Sequence, residues 1–147
     1  MELWRVSIFP DLAGTGGLLA NGRWHTRGRP VVYLADHPST ALLERLVHID
    51  RDELPSTYQL LRIHIPDIIA ADEIDVRTLP IDWRDDIDFT RRIGDKWLSN
   101  GTRSLLRVPS AVAAHASNYL FNPVHAVPSA VRIVETTIAH DDPRLWK

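Results

Sequence analysis

The chain has 147 residues, 44% of them hydrophobic, which is enough to bury the core of one domain without covalent crosslinks. It contains no cysteine, so disulfide bonds, thiolate metal sites and a cysteine nucleophile are excluded. Its 17 lysines and arginines and 19 aspartates and glutamates give a formal net charge of −2, and no basic block is dense enough for a surface that binds nucleic acid directly.

The first third of the chain predicts two strands and a helix. Residues 3–9 (LWRVSIF) alternate between apolar and polar and predict an opening strand. Residues 14–22 (GTGGLLANG) contain four glycines and predict a flexible loop. Residues 30–35 (PVVYLA) form a short apolar run, typical of a strand that is covered on both faces. Residues 36–50 then predict a helix, with an apolar face made by Ala41, Leu42, Leu46 and Val47.

The middle of the chain predicts one further strand and one further helix. Residues 56–66 (STYQLLRIHIP) alternate up to Pro66 and predict a strand. Residues 67–86 are acidic and without regular periodicity, which predicts irregular surface structure. Residues 87–101 (IDFTRRIGDKWLSNG) have helical periodicity and end in Asn100 and Gly101, a typical helix stop.

The last third predicts three strands, over residues 103–112 (RSLLRVPSAV), 117–123 (SNYLFNP) and 130–141 (AVRIVETTIAHD). Strands therefore outnumber helices and are interrupted by them. This order predicts an α+β fold, a single compact domain over residues 1–147 with a mixed β-sheet core and a few helices.

No motif of a metal site, phosphate loop or serine nucleophile is present. The seven histidines show no HExxH and no spacing typical of ligands, so we predict no metal site and interpret each histidine as a surface or turn residue. The glycine-rich segment lacks the GK[ST] ending of a phosphate loop. Ser110 is not in a GxSxG motif, so it is either a hydrogen-bond donor in a pocket or a turn residue after Pro109.

Three polar residues fall among apolar neighbours between residues 22 and 46, namely Arg23, Tyr33 and Glu44. Together they offer a cation for an anionic ligand, an aromatic ring with a hydroxyl, and a carboxylate. A structural interpretation is equally open: Arg23 and Glu44 form an ion pair, and Tyr33 belongs to the core with its hydroxyl at the rim.

The segments NGRWHTRGRPVVYLADHPSTALLERLVH, LLRVPSAV and SNYLFNPVH resemble the RES-domain family, the toxin half of RES–Xre type II toxin–antitoxin systems. The resemblance extends from LWRV at residues 3–6 to DPRLW at residues 142–146. It implies a pocket made by Arg23, Tyr33, Glu44 and Ser110, with Asn118 and Asn122 supporting its last wall. Two positions depart from the usual GGRWN of the family, since this chain has Asn21 and His25 there.

The resemblance also implies a fold like that of the ADP-ribosyltransferase toxins and an enzyme that consumes NAD⁺ as a substrate, with no resident cofactor. Glu44 would stabilise the positive charge that develops on the ribose, and Arg23 would hold the pyrophosphate. Tyr33 would pack against the nicotinamide or the ribose and donate its hydroxyl, and Ser110 would bind a polar group of the substrate. Water or phosphate would then accept the ribose.

The implied partner is an Xre-like antitoxin that blocks the pocket in a toxin–antitoxin oligomer and whose own domain binds DNA. The alternatives are a protein ADP-ribosyltransferase with the same NAD⁺ site, a toxin ribonuclease, and a non-catalytic binding module. No apolar run approaches the ~20 residues of a membrane span, and the first residues are unlike a signal peptide. We therefore expect a cytoplasmic protein without membrane contact.

Overall fold

The computed structural model describes residues 1–53, 55–125 and 130–146. Its strands are β1 (Glu2–Ser7), β2 (Val32–Ala35), β3 (Thr57–His64), β4 (Ala71–Glu73), β5 (Leu105–Pro109), β6 (Ser117–Phe121) and β7 (Arg132–His140). Its α-helices are α1 (Thr15–Leu19), α2 (Pro38–His48) and α3 (Ile87–Asn100), and single 3₁₀ turns span Arg51–Glu53, Val76–Thr78 and Pro143–Trp146.

All these strands form one sheet in the order β4-β5-β6-β2-β1-β3-β7. Neighbouring strands are antiparallel, except that β4 runs parallel to β5. The predicted α+β fold with a mixed sheet and a few helices is thereby confirmed. None of the helices within the described ranges has the length and the apolar character needed to cross a membrane.

The sheet has a hydrophobic cluster on each face. Because side chains alternate along a strand, the adjacent residues Leu105 and Leu106 belong to opposite clusters. One cluster is aliphatic and includes Leu3, Leu61 and Ile63. The other is rich in tryptophan and lies under α3; it contains Trp24, Trp83, Trp97, Leu106, Val108 and Leu120.

Two predicted irregular segments are partly ordered, so these predictions were wrong. Residues 14–22 contain α1, which follows Gly14 at φ 74°. A Cβ on Gly17 would lie 2.3 Å from the Arg29 carbonyl oxygen, so only glycine lets α1 approach this closely. Residues 67–86 contain β4 and the buried Trp83, whose ring centroid lies 6.0 Å from that of Trp24. Neither α1, with five residues, nor β4, with three, is long enough to show a periodic pattern.

The two longer helices lie where the sequence predicts them, but the buried face of α2 differs. The helix begins where the ring of His37 accepts a hydrogen bond from the Ser39 N–H, with Pro38 in its first turn. Its inner face buries Ala41 and Arg45, whereas Val47 is 57% exposed. The predicted apolar face was therefore wrong at Val47, because a buried ion pair of Arg45 takes part of the inner side.

Candidate active site

A cavity of about 620 Å³ lies between α2, the strands β1, β2 and β6, and the segment 16–25. This volume is within the usual range of small-molecule sites. Four of the six predicted site residues line it: Arg23, Tyr33, Glu44 and Asn118. Ser110 and Asn122 do not line it, and both are 2% exposed.

Glu44 projects from α2 and is held from the far half of the chain. Its Oε1 accepts hydrogen bonds from Asn118 Nδ2 at 2.6 Å and from Ser110 Oγ at 3.1 Å, while Oε2 lies 3.6 Å from Nε2 of His48. Burial opposes ionisation of Glu44, but its contacts with His48, Asn118 and Ser110 outweigh this and lower the pKa of its carboxyl group below the ordinary value. A fixed and ionised carboxylate therefore borders the cavity.

Ser110 stands behind this carboxylate. Its hydroxyl donates to Glu44 and accepts from the backbone N–H groups of Val112 and Ala113, so it both orients the carboxylate and closes the turn after β5. The interpretation as a turn residue therefore describes this hydroxyl, whereas its donor function is directed to Glu44, since Ser110 does not line the cavity. Asn122 is further away, where its Oδ1 accepts from the Val124 N–H and its backbone N–H donates to the Ser104 carbonyl.

Tyr33 presents its ring to the cavity while its hydroxyl is already engaged. The phenol oxygen accepts from the Trp24 N–H at 3.1 Å and lies 2.8 Å from Nδ1 of His25. Burial raises the pKa of the hydroxyl above that of an ordinary tyrosine, so the group keeps its proton. The hydroxyl thus faces His25, whereas the family resemblance implies that it donates to a substrate.

Arg23 is positioned by α3. Thr90 Oγ1 donates to the Arg23 carbonyl at 2.6 Å, and Arg91 Nε donates to the neighbouring Gly22 carbonyl at 2.8 Å. The guanidinium of Arg23 donates to the Arg84 carbonyl, and the residue borders the cavity. Within the described part of the chain Arg23 and Glu44 form no ion pair, so the structural interpretation of these two residues was wrong.

Positive charge predominates in the cavity lining. Arg5, Arg23 and Arg45 border it, and Glu44 is the single acidic residue among the described lining residues. Arg45 is committed to Asp141 at 2.7 Å, with both side chains at most 10% exposed. Arg5 donates to the Asp11 carbonyl but has no carboxylate partner among the described ion pairs. Such a lining suits a ligand that carries both anionic groups and one cationic centre.

Sequence reasoning missed His48 as a site residue, and it noted His25 only as a departure from the family motif. The interpretation of His25 as a surface or turn residue was wrong, since it is 2% exposed and contacts Tyr33. The one sequence signal for His48 is its spacing of four residues from Glu44 in a predicted helix. This spacing places the two side chains on one helical face. No group of three or more His, Asp or Glu residues that suits a metal ion exists among the described residues.

Comparison with known proteins places this geometry in context. The family model described as RES domain matches residues 2–146. Toxin Res of Pseudomonas putida is 44% identical over 135 residues, which cover 90% of this chain and 92% of that protein. Prs ADP-ribosylating toxin of Sphingobium sp. is 31% identical over 156 aligned positions, covering 98% of this chain and 96% of that protein.

A solved structure supports the fold. One chain in the crystal structure of the M. tuberculosis MbcT–MbcA toxin–antitoxin complex superposes with a TM-score of 0.75, covering 95% of this chain and 84% of that chain. The two sequences are 17% identical, so this likeness concerns the fold alone.

Proposed function

This chain belongs to the RES domain family, and from that premise we propose that it is the toxin of a toxin–antitoxin system that cleaves the nicotinamide–ribose bond of NAD⁺. The observation that carries the proposal is the Glu44 carboxylate, which Asn118 and Ser110 hold at the wall of a cavity that is also bordered by three arginines. NAD⁺ combines an anionic pyrophosphate with a cationic pyridinium, so its charges match those of the lining.

The reaction breaks the bond between the ribose carbon and the pyridinium nitrogen. The bonding electron pair leaves with nicotinamide, which becomes neutral, and positive charge develops on the ribose. Because that charge grows towards the transition state, a fixed carboxylate favours the transition state over the bound substrate. An oxygen of water or phosphate then bonds to the ribose carbon, and in the case of water a proton is released. Glu44 is the group we assign to this stabilisation.

The remaining lining residues bind and orient the substrate in this proposal. Arg23 and Arg5 offer charge-assisted hydrogen bonds to the pyrophosphate. Tyr33 offers the face of its ring to the nicotinamide or the ribose. Asn118 uses its amide N–H for Glu44, so its carbonyl oxygen is the part available to a ribose hydroxyl. Ser110 acts through Glu44.

An antitoxin partner follows from the same proposal, because an enzyme that consumes NAD⁺ must be inhibited in the cell that makes it. We assign this task to an Xre-like protein that covers the cavity and carries the DNA-binding domain. The structural relative described above was crystallised as a toxin–antitoxin complex.

A second candidate function is the transfer of ADP-ribose from NAD⁺ to a protein side chain. One specific observation favours it, namely that the relative from Sphingobium, 31% identical to this chain, is named an ADP-ribosylating toxin. The bond that breaks is the same, and only the acceptor differs.

Mass spectrometry of NAD⁺ incubated with the pure protein tests the proposal, with and without phosphate. Free ADP-ribose indicates water as acceptor, and ADP-ribose-1″-phosphate indicates phosphate. Label that moves from NAD⁺ to a protein band in a cell lysate indicates protein modification. Unchanged NAD⁺ in all three reactions would reject the proposed function, and RNA loss in that case would indicate a ribonuclease.

A further inference from the structure

The ring of His25 connects the segment 17–20 to Tyr33. Its Nε2 lies 3.1 Å from the Ala20 carbonyl oxygen and 3.3 Å from the Gly17 carbonyl oxygen. A carbonyl oxygen only accepts hydrogen bonds, so Nε2 carries the proton and Nδ1 is the acceptor. Tyr33 O–H therefore donates to Nδ1 at 2.8 Å, and the phenol oxygen accepts from the Trp24 N–H.

The hydrogen-bonded pair of His25 and Tyr33 leaves no room for a side chain at position 22. The N–H of Gly22, at the end of the segment 16–22, donates to the His25 carbonyl. A Cβ on Gly22 would lie 2.4 Å from the Tyr33 hydroxyl and 2.6 Å from Nδ1 of His25. The segment 16–22 thus lies directly on the pair, and most of its residues border the cavity.

We propose that His25, as the neutral Nε2–H tautomer, is a positioning residue that ties Tyr33 to the segment 16–22 and so holds this wall of the cavity in its ligand-binding shape. The identity of the ligand as NAD⁺ rests on the proposed function, whereas the holding of the wall does not. His25 itself acts through Tyr33 and the two carbonyl groups.

Protonation of His25 opposes this arrangement. A proton on Nδ1 removes the acceptor of the Tyr33 O–H and leaves a cation that is 2% exposed. The charged groups that act on this pair are Asp95, Arg91 and Arg23. Burial lowers the pKa of His25 although the two carbonyls favour the protonated ring, so the neutral form holds at neutral pH. The wall should therefore loosen on the acidic side.

Two measurements on the wild-type and variant proteins test the holding of the wall without any substrate. Two-bond ¹H–¹⁵N NMR of the wild type should show the Nε2–H tautomer for His25, and the Nδ1–H tautomer would overturn the proposal. Hydrogen exchange of residues 16–24, with the Trp24 amide as direct reporter, should be at least threefold faster in Tyr33→Phe, which removes the acceptor of that amide without changing His25. Unchanged exchange would also overturn the proposal.

A pair of conservative variants separates the two ends of the ring. The amide of asparagine reaches as far as Nδ1 and retains an acceptor for Tyr33, and the amide of glutamine reaches as far as Nε2 and retains a donor for the carbonyls. His25→Asn should loosen residues 17–20, and His25→Gln should loosen Trp24. Each should raise KM for NAD⁺ about three- to tenfold, as expected for one lost hydrogen bond, and more than it lowers kcat.

The pH profile gives a readout that a merely structural role would not produce. KM of the wild type should rise as the pH falls below neutrality, and this rise should be absent in His25→Gln but retained in His140→Gln, which removes an exposed histidine outside the cavity. A wild-type profile retained in His25→Gln would overturn the proposal. Faster exchange in the variants without NAD⁺ cleavage by the wild type would support the holding of the wall and reject the proposed function instead.

Discussion

The side-chain amide of Asn118 donates a 2.6 Å hydrogen bond to Oε1 of Glu44, although 74 residues separate them in the chain. The strand β6 presents Asn118 opposite Ala35 of β2, and β2 leads directly into the helix α2 that carries Glu44. The position of the carboxylate therefore depends on the register between two strands, which a change elsewhere in the sheet would disturb.

The first prediction concerns the charge of Glu44. Glutamine keeps a carbonyl oxygen that accepts from Asn118 and Ser110, so Glu44→Gln should fold normally and lose only the negative charge. If that charge stabilises the transition state, kcat for NAD⁺ cleavage should fall by about 10²–10³. Steady-state kinetics and thermal unfolding measure the two effects. Glu53→Gln, an exposed glutamate outside the cavity, is the control. Cleavage by Glu44→Gln at the wild-type rate would remove Glu44 from the mechanism.

The second prediction concerns the pH dependence of activity. Hydrogen bonds from Asn118 and Ser110 help to hold the pKa of Glu44 below its ordinary value. Asn118→Ala removes one of these bonds, so the pKa should rise and the acidic limb of the kcat/KM profile should move to higher pH. Asn100→Ala, at the exposed end of α3, should leave the limb in place. A limb that stays in place in Asn118→Ala would mean that another group controls it.

The hydrogen bonds that Glu44 accepts also determine how the stability of the fold changes with pH. Glu44 has a lowered pKa in the folded protein, so its ionised form contributes stability above the pKa of the unfolded chain, about 4.3. This contribution is lost as the pH falls through the folded pKa. The difference in unfolding free energy between wild type and Asn118→Ala should therefore shrink between pH 6 and pH 3, as urea unfolding at several pH values would show.

Regular elements with a clear period were predictable, and short ones were not. The eight residues of β3 and the fourteen of α3 each repeat their apolar pattern several times. By contrast, α1 has five residues and β4 has three, fewer than a pattern needs. Their stability comes from tertiary contacts instead, such as the hydrogen bond of Trp97 Nε1 to Asp72 in β4.

The cavity lining combines residues that are close in sequence with residues that only the fold brings together. Arg23, Tyr33 and Glu44 lie within 22 positions and all border the cavity. The contact of Ser110 with Glu44, rather than with the cavity, depends on how β5 and β6 pair. His25 stands out in the sequence only as a departure from the GGRWN motif of the family, because its partners are two backbone carbonyls and a hydroxyl whose positions no motif encodes.

The third prediction concerns the buried ion pair of Arg45 and Asp141. Arg45 also donates to the Pro55 carbonyl and lies over the ring of Tyr58 at 4.5 Å, so it joins α2 to the end of β7. Arg45→Met leaves Asp141 buried without its cation and should reduce the unfolding free energy by about 3–5 kcal/mol.

Chemical denaturation measures the loss in Arg45→Met. The double variant Arg45→Met, Asp141→Leu removes both charges and should recover most of the stability, since hydrophobic replacement of a buried pair is often neutral. A double variant as unstable as the single one would show that the contacts with Pro55 and Tyr58, and not the buried charge, dominate.

The last prediction concerns the approach of α3 to the loop that carries Arg23. A Cβ on Gly94 would lie 1.6 Å from the Trp24 carbonyl oxygen, and a backbone atom cannot move aside without moving the helix or the loop. Gly94→Ala should therefore cost about 3 kcal/mol or more in stability. The shift should also break the contacts of Thr90 and Arg91 with the loop and raise KM for NAD⁺, because Arg23 loses its position.

Lys96→Ala, an exposed change on the same helix, is the matched control and should alter neither stability nor KM beyond about twofold. The stability of Gly94→Ala reports on the packing of α3, and its KM reports on the position of Arg23. Lower stability with an unchanged KM would show that Arg23 keeps its place without α3, or that it does not bind the substrate. Unchanged stability would contradict the close approach of α3 to Trp24 itself.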